Sequence, residues 1–290
     1  MKTVLVTGLS GFTGKHVEKE LRDNGYAVVG LSSECDITDK QSVKLEIERL
    51  NPAYVIHLAA LSFVQHSDQK ALYDVNVFGT LNILEAIHEL GLPIKKLVIA
   101  SSANIYGNPK NAINIGEEQA PGPVNHYAMS KLAMEYMVRT WFDRLPIIIT
   151  RPFNYTGIGQ AEHFLVPKIV KHFRDGKKVI QLGNTDVSRD FSDVTDVAKV
   201  YVKLMESGAT SETVNVCSGS LHSLESIIKT MEDIAGYSIA VEVNPEFVRS
   251  NEIKALNGDN TKLQSLIGFT PSKPLKETLK EVFLNNESSN

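Results

Sequence analysis

Residues 3–14 read TVLVTGLSGFTG, and their order decides the fold. The run Val4-Leu5-Val6 is too short for a helix and apolar enough to be buried on both faces, which predicts a β-strand. It leads into Gly8, Gly11 and Gly14, and then into KHVEKELRDNG (15–25), an amphipathic helix stopped by Gly25. Glycine lets backbone amides approach an anion, and the helix N-terminus that follows favours negative charge. Such a spacing alone is a common turn signal. Between a buried strand and an amphipathic helix it points to the pyrophosphate of a dinucleotide.

Outward from this stretch, apolar runs alternate with helix-period segments. YAVVGLS (26–32), AYVIHLAA (53–60), KKLVIASS (95–102) and LPIIITRPFN (145–154) read as strands. SVKLEIERL (42–50), DVNVFGTLNILEAIHEL (74–90) and residues 126–143 read as helices. Strands this apolar are covered on both faces, which predicts an α/β fold: a Rossmann-type doubly wound parallel sheet. After Asn154 the regularity weakens, although DVTDVAKVYVKLMESG (193–208) and HSLESIIKTMEDIAG (222–236) still read as helices. The expected division is a dinucleotide-binding part, 1–154 plus about 187–218, and a smaller C-terminal substrate-binding lobe, about 155–186 and 219–290. The tail NNESSN (285–290) is expected to fray.

Composition narrows the partners. The 290 residues carry a net charge of −4 without a long basic run, which argues against nucleic acid. Cys35 and Cys217 make no disulfide framework and read as free thiols of a reducing compartment. The first strand is cut short by Thr7-Gly8, which fits no secretory leader, and no apolar run reaches the roughly eighteen residues of a membrane span. A cytoplasmic protein is expected. No His, Cys and carboxylate cluster has metal-ligand spacing, so no metal is expected.

An acid at the tip of the second strand would hold an adenine ribose 2′-hydroxyl, but the strand ends Gly30-Leu31-Ser32-Ser33, with Glu34 just beyond. Small hydroxyls leave room for a 2′-phosphate, although no arginine is adjacent, and NADP(H) is favoured over NAD(H). Asp36 is expected either to reach the adenine edge or to cap the helix beginning near Thr38.

The stretch NHYAMSK (125–131) sets Tyr127 four positions before Lys131. On a helix that spacing stacks the two side chains, with β-carbons about 5–6 Å apart. A free phenol releases its proton only near pH ~10, and an adjacent cation is expected to lower that value toward useful acid–base chemistry. The same spacing also suits a tyrosine packed on a lysine stem at a solvated surface.

Taken together, GLSGFTG, HLAA (57–60), NVFGT (76–80), SSANIYG (101–107), YAMSK and RPFN (151–154) resemble, in order and spacing, the extended short-chain dehydrogenase/reductases of the NAD-dependent epimerase/dehydratase superfamily. The resemblance runs through the whole chain. It implies Ser102, Tyr127 and Lys131 as catalytic residues: Ser102 binding the substrate carbonyl, Tyr127 exchanging the proton, and Lys131 tuning Tyr127 while holding the nicotinamide ribose. It implies a cofactor set of Gly8, Ser10, Gly11, Phe12, Thr13 and Gly14; Ser32, Ser33, Asp36 and Ile37; Leu58, Ala59 and Ala60; and Asn76, Tyr127, Lys131 and Pro152. Asn76 is expected to brace the fourth strand against the long helix. His57 and His66 are expected to be buried or rim histidines.

Within the family, 4,6-dehydratases carry an acid pair after the serine and fucose-type epimerase–reductases a cysteine. Ala103-Asn104 supplies neither, which leaves plain carbonyl reduction. NYTGIGQ (154–160), FLVPKIV (164–170), DVSRDFSDVTDV (186–197) and RSNEIKALNGDNTKL (249–263) are most similar to the GDP-4-keto-6-deoxy-D-mannose reductases. By that resemblance Asn154, Lys168, Arg189, Arg249 and Glu252 line a nucleotide-sugar pocket, Val166 lies beside the base and Ser62 touches sugar hydroxyls. A diphosphate suits arginine, which binds it bidentately, although Arg189 also has Asp190 and Asp193 as nearby ion-pair candidates. The implied activity is NAD(P)H-dependent reduction of a GDP-4-keto-6-deoxyhexose at C4, giving GDP-D-rhamnose or GDP-6-deoxy-D-talose. A 4-epimerase, a CDP- or dTDP-sugar 4-reductase and a non-catalytic dinucleotide sensor are the alternatives. Relatives pair through the helices carrying NVFGT and YAMSK, so a homodimer built on a four-helix bundle is expected.

Overall fold

A computed structural model of the chain describes residues 2–62, 68–248 and 252–285. Strand β1 (Thr3–Thr7) is followed by α1 (Phe12–Asp23), β2 (Ala27–Val29), α2 (Lys40–Leu50) and β3 (Tyr54–His57). Next come α3 (Gln69–Tyr73), a π-helical turn (Asp74–Gly79), α4 (Thr80–Glu89) and β4 (Lys96–Ala100). A short 3-10 turn (Ala103–Tyr106), α5 (His126–Arg139) and β5 (Ile147–Pro152) follow. The strands lie parallel in the order β2-β1-β3-β4-β5-β9, with β9 (Glu212–Val216) closing the edge, so the expected Rossmann-type doubly wound sheet is what forms.

The sheet is covered on both faces, which is why its strands read as unbroken apolar runs. Val4, Val6, Ile56 and Val98 pack with Val17 and Leu21 of α1 and with Val197, Tyr201 and Leu204 of α7 (Val194–Glu206). Leu5, Val55, Leu97 and Ile149 point the other way, against Val43 and Ile47 of α2, Ile83 and Leu84 of α4, and Met134 and Val138 of α5. Each such aliphatic side chain contributes roughly 1.5–3 kcal/mol by leaving water.

Local signals set the helix ends. The Asp39 carboxylate accepts from the Gln41 and Ser42 amides to start α2, Asn125 accepts from Ala128 N at 2.9 Å to start α5, and Asp193 starts α7. Asp36 instead takes the Thr38 amide and hydroxyl at 2.9 and 2.8 Å, so the expected cap at Asp36 belongs to Asp39. The helix expected over 74–90 begins five residues earlier, at Gln69, and is broken by the π-helical turn.

The remaining elements build a second layer beyond the carboxyl ends of the sheet. They are β6 (Asn154–Thr156), α6 (Leu165–Arg174), β7 (Val179–Leu182), β8 (Ser188–Asp193), β10 (Leu221–Ser223), α8 (Leu224–Ala235), β11 (Ala240–Val243), β12 (Ala255–Leu256) and α10 (Leu275–Leu284), whereas α9 (Thr261–Ile267) returns to the main sheet and buries Leu263 against α7 and β9. β8 pairs with β6, β10 and β12, and β7 with β11. Residues 188–193, placed by sequence with the dinucleotide-binding part, therefore sit in this second layer. The register explains it: β8 runs beside β6, with Asn154 opposite Phe191 and Thr156 opposite Asp193. Among the described residues no helix is long and apolar enough to cross a membrane.

Candidate active site

The strand order reverses between β1 and β3, and ligands bind such sheets in the crevice at the carboxyl ends there. One wall is the glycine turn. Gly8 sits at φ +73°, and a Cβ on Gly14 would lie 2.2 Å from the Gly8 carbonyl oxygen, so neither position takes a side chain without rebuilding the turn. Ser10 and Gly11 are exposed at its tip, with Phe12 and Thr13 half-buried behind them. This cradle of bare backbone fits a dinucleotide pyrophosphate.

The opposite wall follows β3. Leu58, Ala59 and Ala60 are half-buried, and Ser62 is exposed just beyond. A buried hydrogen-bond chain fixes this wall to the first. Thr80 donates its single hydroxyl proton to Asn76 O at 2.8 Å, so His57 Nε2–H must donate to Thr80 Oγ1 at 2.9 Å. His57 Nδ1 is then the acceptor for the Thr7 hydroxyl at 2.7 Å, and Thr7 Oγ1 accepts the Ala59 amide at 3.1 Å. His57 is thus a neutral structural histidine. Burial pushes its pKa down to about 3, and the charge of Lys131 adds to that.

Asn76 lies on the π-helical turn, 1% exposed. Its amide clasps the Leu61 backbone on both sides, at 2.9 and 3.1 Å, and donates to Ser130 Oγ at 3.0 Å. It braces the loop after β3 against α5, rather than the fourth strand as expected. The π turn is what brings the amide inward, a common use of such bulges.

Ser102, Tyr127 and Lys131 are brought together. Ser102 leaves β4 and caps the 3-10 turn, its Oγ accepting from Asn104 N at 3.2 Å. Tyr127 stands in the first turn of α5, its phenol close enough for the Ser102 hydroxyl to favour its ionised form. Lys131, one turn on, donates to Ala100 O at the end of β4 at 2.9 Å. All three are more than nine-tenths buried. Burial pushes the Lys131 ammonium down to about 8, opposed by the negative charge of Glu135. Burial also raises the Tyr127 phenol to about 12, with the Ser102 hydrogen bond pulling the other way. A cationic neighbour alone would lower the phenol, as expected from the Tyr127–Lys131 spacing. In this closed pocket desolvation outweighs that, and Tyr127 is a firmly protonated acid at neutral pH.

The remaining expected positions scatter more. Ser32, Ser33 and Asp36 are exposed beyond β2, and Ile37 packs beneath Gly79. Pro152 ends β5, half-buried, and Asn154 is exposed on β6. Lys168 reaches Gln181 O at 2.9 Å and lies 4.6 Å over the Phe247 ring. Val166 is 2% exposed within the second layer's core, packed with Ile169, Val170 and Phe173. Arg189 pairs with Glu252 at 2.7 Å instead of Asp190 or Asp193; Asp190 is taken by Ser218, Gly219 and Asn257. Arg249, like His66, lies outside the described residues. Among the described residues no His, Cys and carboxylate group is placed to hold a metal ion.

Two features escaped the sequence reading. Tyr155 donates to or accepts from Thr13 Oγ1 at 2.8 Å and stacks on Phe12 at 6.1 Å, tying the glycine turn to β6. Behind α5, the Arg151 guanidinium grips the Glu135 carboxylate at 2.7 and 3.0 Å. A glutamate four residues after Lys131 and the arginine of RPFN were the available signals.

The family model described as the NAD dependent epimerase/dehydratase family matches residues 4–217. The chain is 37% identical to a GDP-6-deoxy-D-talose 4-dehydrogenase of Aggregatibacter actinomycetemcomitans, over 95% of this chain and 96% of the relative. It is 32% identical to a GDP-6-deoxy-D-mannose reductase of Pseudomonas aeruginosa, over 98% and 97%. The solved structure of RMD from Pseudomonas aeruginosa complexed with NADPH superposes with a TM-score of 0.88 at 30% identity, covering 98% of this chain and 96% of that one.

Proposed function

We propose that this chain, which belongs to the NAD dependent epimerase/dehydratase family, is an NAD(P)-dependent oxidoreductase that reduces the C4 ketone of a GDP-4-keto-6-deoxyhexose. The observation that carries the reading is the buried Ser102–Tyr127–Lys131 cluster at the carboxyl edge of the sheet, in a chain 37% and 32% identical to two relatives named for GDP-6-deoxyhexoses.

The glycine turn and the Leu58–Ala60 wall hold the dinucleotide, with Ser32, Ser33 and Asp36 toward its adenosine end and Asn76 and Pro152 toward the nicotinamide. Bound there, the reduced nicotinamide supplies hydride. Ser102 donates a hydrogen bond to the substrate's C4 carbonyl oxygen. Tyr127 delivers the proton as negative charge builds on that oxygen, and its raised pKa keeps the proton in place until then. Lys131 supplies a positive charge that stabilises the phenolate left behind. Arg189 and Lys168 take the diphosphate, Glu252 the base or ribose, and Asn154 and Ser62 the sugar hydroxyls, so that the nucleotide sugar fills the layer built on β6 and β8.

NADP(H) is the proposed cofactor, on the small hydroxyls at the β2 tip and the NADPH bound to the structural relative. GDP-4-keto-6-deoxy-D-mannose is the proposed substrate. Hydride to one face gives GDP-D-rhamnose and to the other GDP-6-deoxy-D-talose, the two 6-deoxyhexoses after which the relatives are named. Phe78, Met129 and Tyr136 are exposed on the π-helical turn and α5, which supports a homodimer through those helices.

Incubating the protein with GDP-, CDP- and dTDP-4-keto-6-deoxy sugars and NADPH tests the reading. Loss of the reduced-nicotinamide absorbance with the GDP sugar, and product NMR to assign C4, is the expected result. A 4-epimerase would interconvert a sugar with no net oxidation of NADPH, which would refute the proposal.

A further inference from the structure

Lys131 is 4% exposed, and of its three N–H bonds one is directed to Ala100 O. A lysine taken that far out of water tends to lose its proton, and with it the charge that stabilises a phenolate. The groups facing it are few. His57, from β3, is neutral, its two nitrogens committed to Thr7 and Thr80. Tyr127 stands one turn earlier on α5. Glu135 stands one turn later, where side chains four residues apart are neighbours.

Glu135 is 1% exposed, and its placement is over-determined. Arg151, 2% exposed at the end of β5, grips the carboxylate through Nε at 3.0 Å and Nη2 at 2.7 Å. Arg139, on the solvent side of α5, adds a contact at 3.6 Å. The other arm of Arg151 is fixed too: Nη1 donates to Tyr106 Oη at 2.9 Å and to Glu117 O at 3.0 Å, and Tyr106 in turn donates to Asn215 Oδ1 at 2.7 Å. An ion pair this buried gives little net stability over an apolar pair of equal size, so its retention calls for another reason. The network joins the turn that follows Ser102, helix α5 and strands β5 and β9 behind the reaction site.

We propose that Glu135, held in place by Arg151, is a positioning residue whose negative charge keeps Lys131 protonated beside Tyr127. Arg151 fixes the carboxylate, Glu135 offsets the desolvation of the ammonium, and the ammonium stays charged at neutral pH, where Tyr127 passes its proton to the substrate oxygen. The inference rests on the reading of Tyr127 and Lys131 as the reacting pair, but its physical content is a titration that needs no substrate.

The test follows Lys131 directly. The full chain, labelled with carbon-13 at the lysine ε-carbons, is titrated by NMR, with the Lys131 signal assigned by its loss in Lys131→Met. In Glu135→Gln the Lys131 midpoint should fall by about one pH unit, the usual effect of one nearby charge. In Glu135→Gln/Arg151→Met, which leaves no unpaired buried charge, it should fall in the same direction by less. Arg151→Lys, which keeps both charges, should titrate near wild type. Midpoints unchanged from wild type in both Glu135 variants would overturn the proposal. If the single variant does not fold, the double variant decides by the same criterion. Should the wild type fail to reduce any keto sugar, the functional reading falls while this titration still stands or falls alone.

Discussion

Arg189 and Glu252, 63 residues apart in the chain, are joined by a 2.7 Å hydrogen bond between guanidinium and carboxylate. Arg189 also donates to Ser188 O and Lys254 O, so β8 and the segment leading into β12 share one side chain. The pair stands partly exposed in the second layer, with its side chains 13% and 19% accessible. Two residues expected independently to meet the nucleotide sugar thus meet each other.

If that pair receives the nucleotide, Arg189→Met and Glu252→Gln should each raise the KM for the GDP sugar by about 10- to 100-fold, the worth of a hydrogen bond to a charged group. NADPH affinity, measured by fluorescence, should not change. A parallel loss of both would mean the pair only holds the fold together.

Tyr127→Phe removes one oxygen from a site otherwise intact. Turnover should fall by at least about 10²-fold, the usual contribution of a positioned proton donor. NADPH binding and the melting temperature should stay close to wild type, because burial and not hydrogen bonding dominates the environment of that ring.

The pH profile has a determined sign. Ketone reduction needs Tyr127 protonated and Lys131 charged. With the phenol at about 12 and the ammonium at about 8, reduction should hold through neutrality and decline above about pH 8 as Lys131 loses its proton. Alcohol oxidation by the same protein uses the phenolate as base and should rise with pH over the same range. Reduction that climbs steadily from neutrality upward would contradict these assignments.

Asn76→Leu keeps the forked shape of the side chain at greater bulk, strands the Leu61 amide and carbonyl, and removes the donor to Ser130 Oγ, whose own proton still goes to Tyr127 O. Urea denaturation should show a loss of roughly 1–3 kcal/mol, the cost of buried polar groups left unpaired. Turnover should fall with it, since Ser130 sits on α5 between Tyr127 and Lys131.

What the sequence made legible follows the range of the interactions. The strand–glycine–helix opening and the Tyr127–Lys131 spacing are local, and both read directly from residue order. The π-helical turn stayed hidden because one inserted residue barely disturbs an apolar period of 3.6, and Asn76 was consequently assigned to the wrong neighbours. Asp36 and Asp39, two acids three residues apart, both suit a helix start, so sequence alone does not assign the cap of α2 to Asp39. Val166, read beside the base from its motif, also belongs to the apolar cluster of the second layer, a long-range packing its motif does not encode. Pairings such as Arg189 with Glu252, Tyr155 with Thr13 and Arg151 with Glu135 depend on which strands meet, and nothing local encodes that.

The central claim is hydride delivery to a sugar ketone with a proton from Tyr127. NADPH carrying deuterium at the transferable position of nicotinamide C4, incubated with GDP-4-keto-6-deoxy-D-mannose and the protein, tests it most directly. NMR should find the label at sugar C4 in a single configuration, with NADP+ formed in equal amount. A product without the label, or a label that stays on the cofactor while the sugar is consumed, would contradict the account.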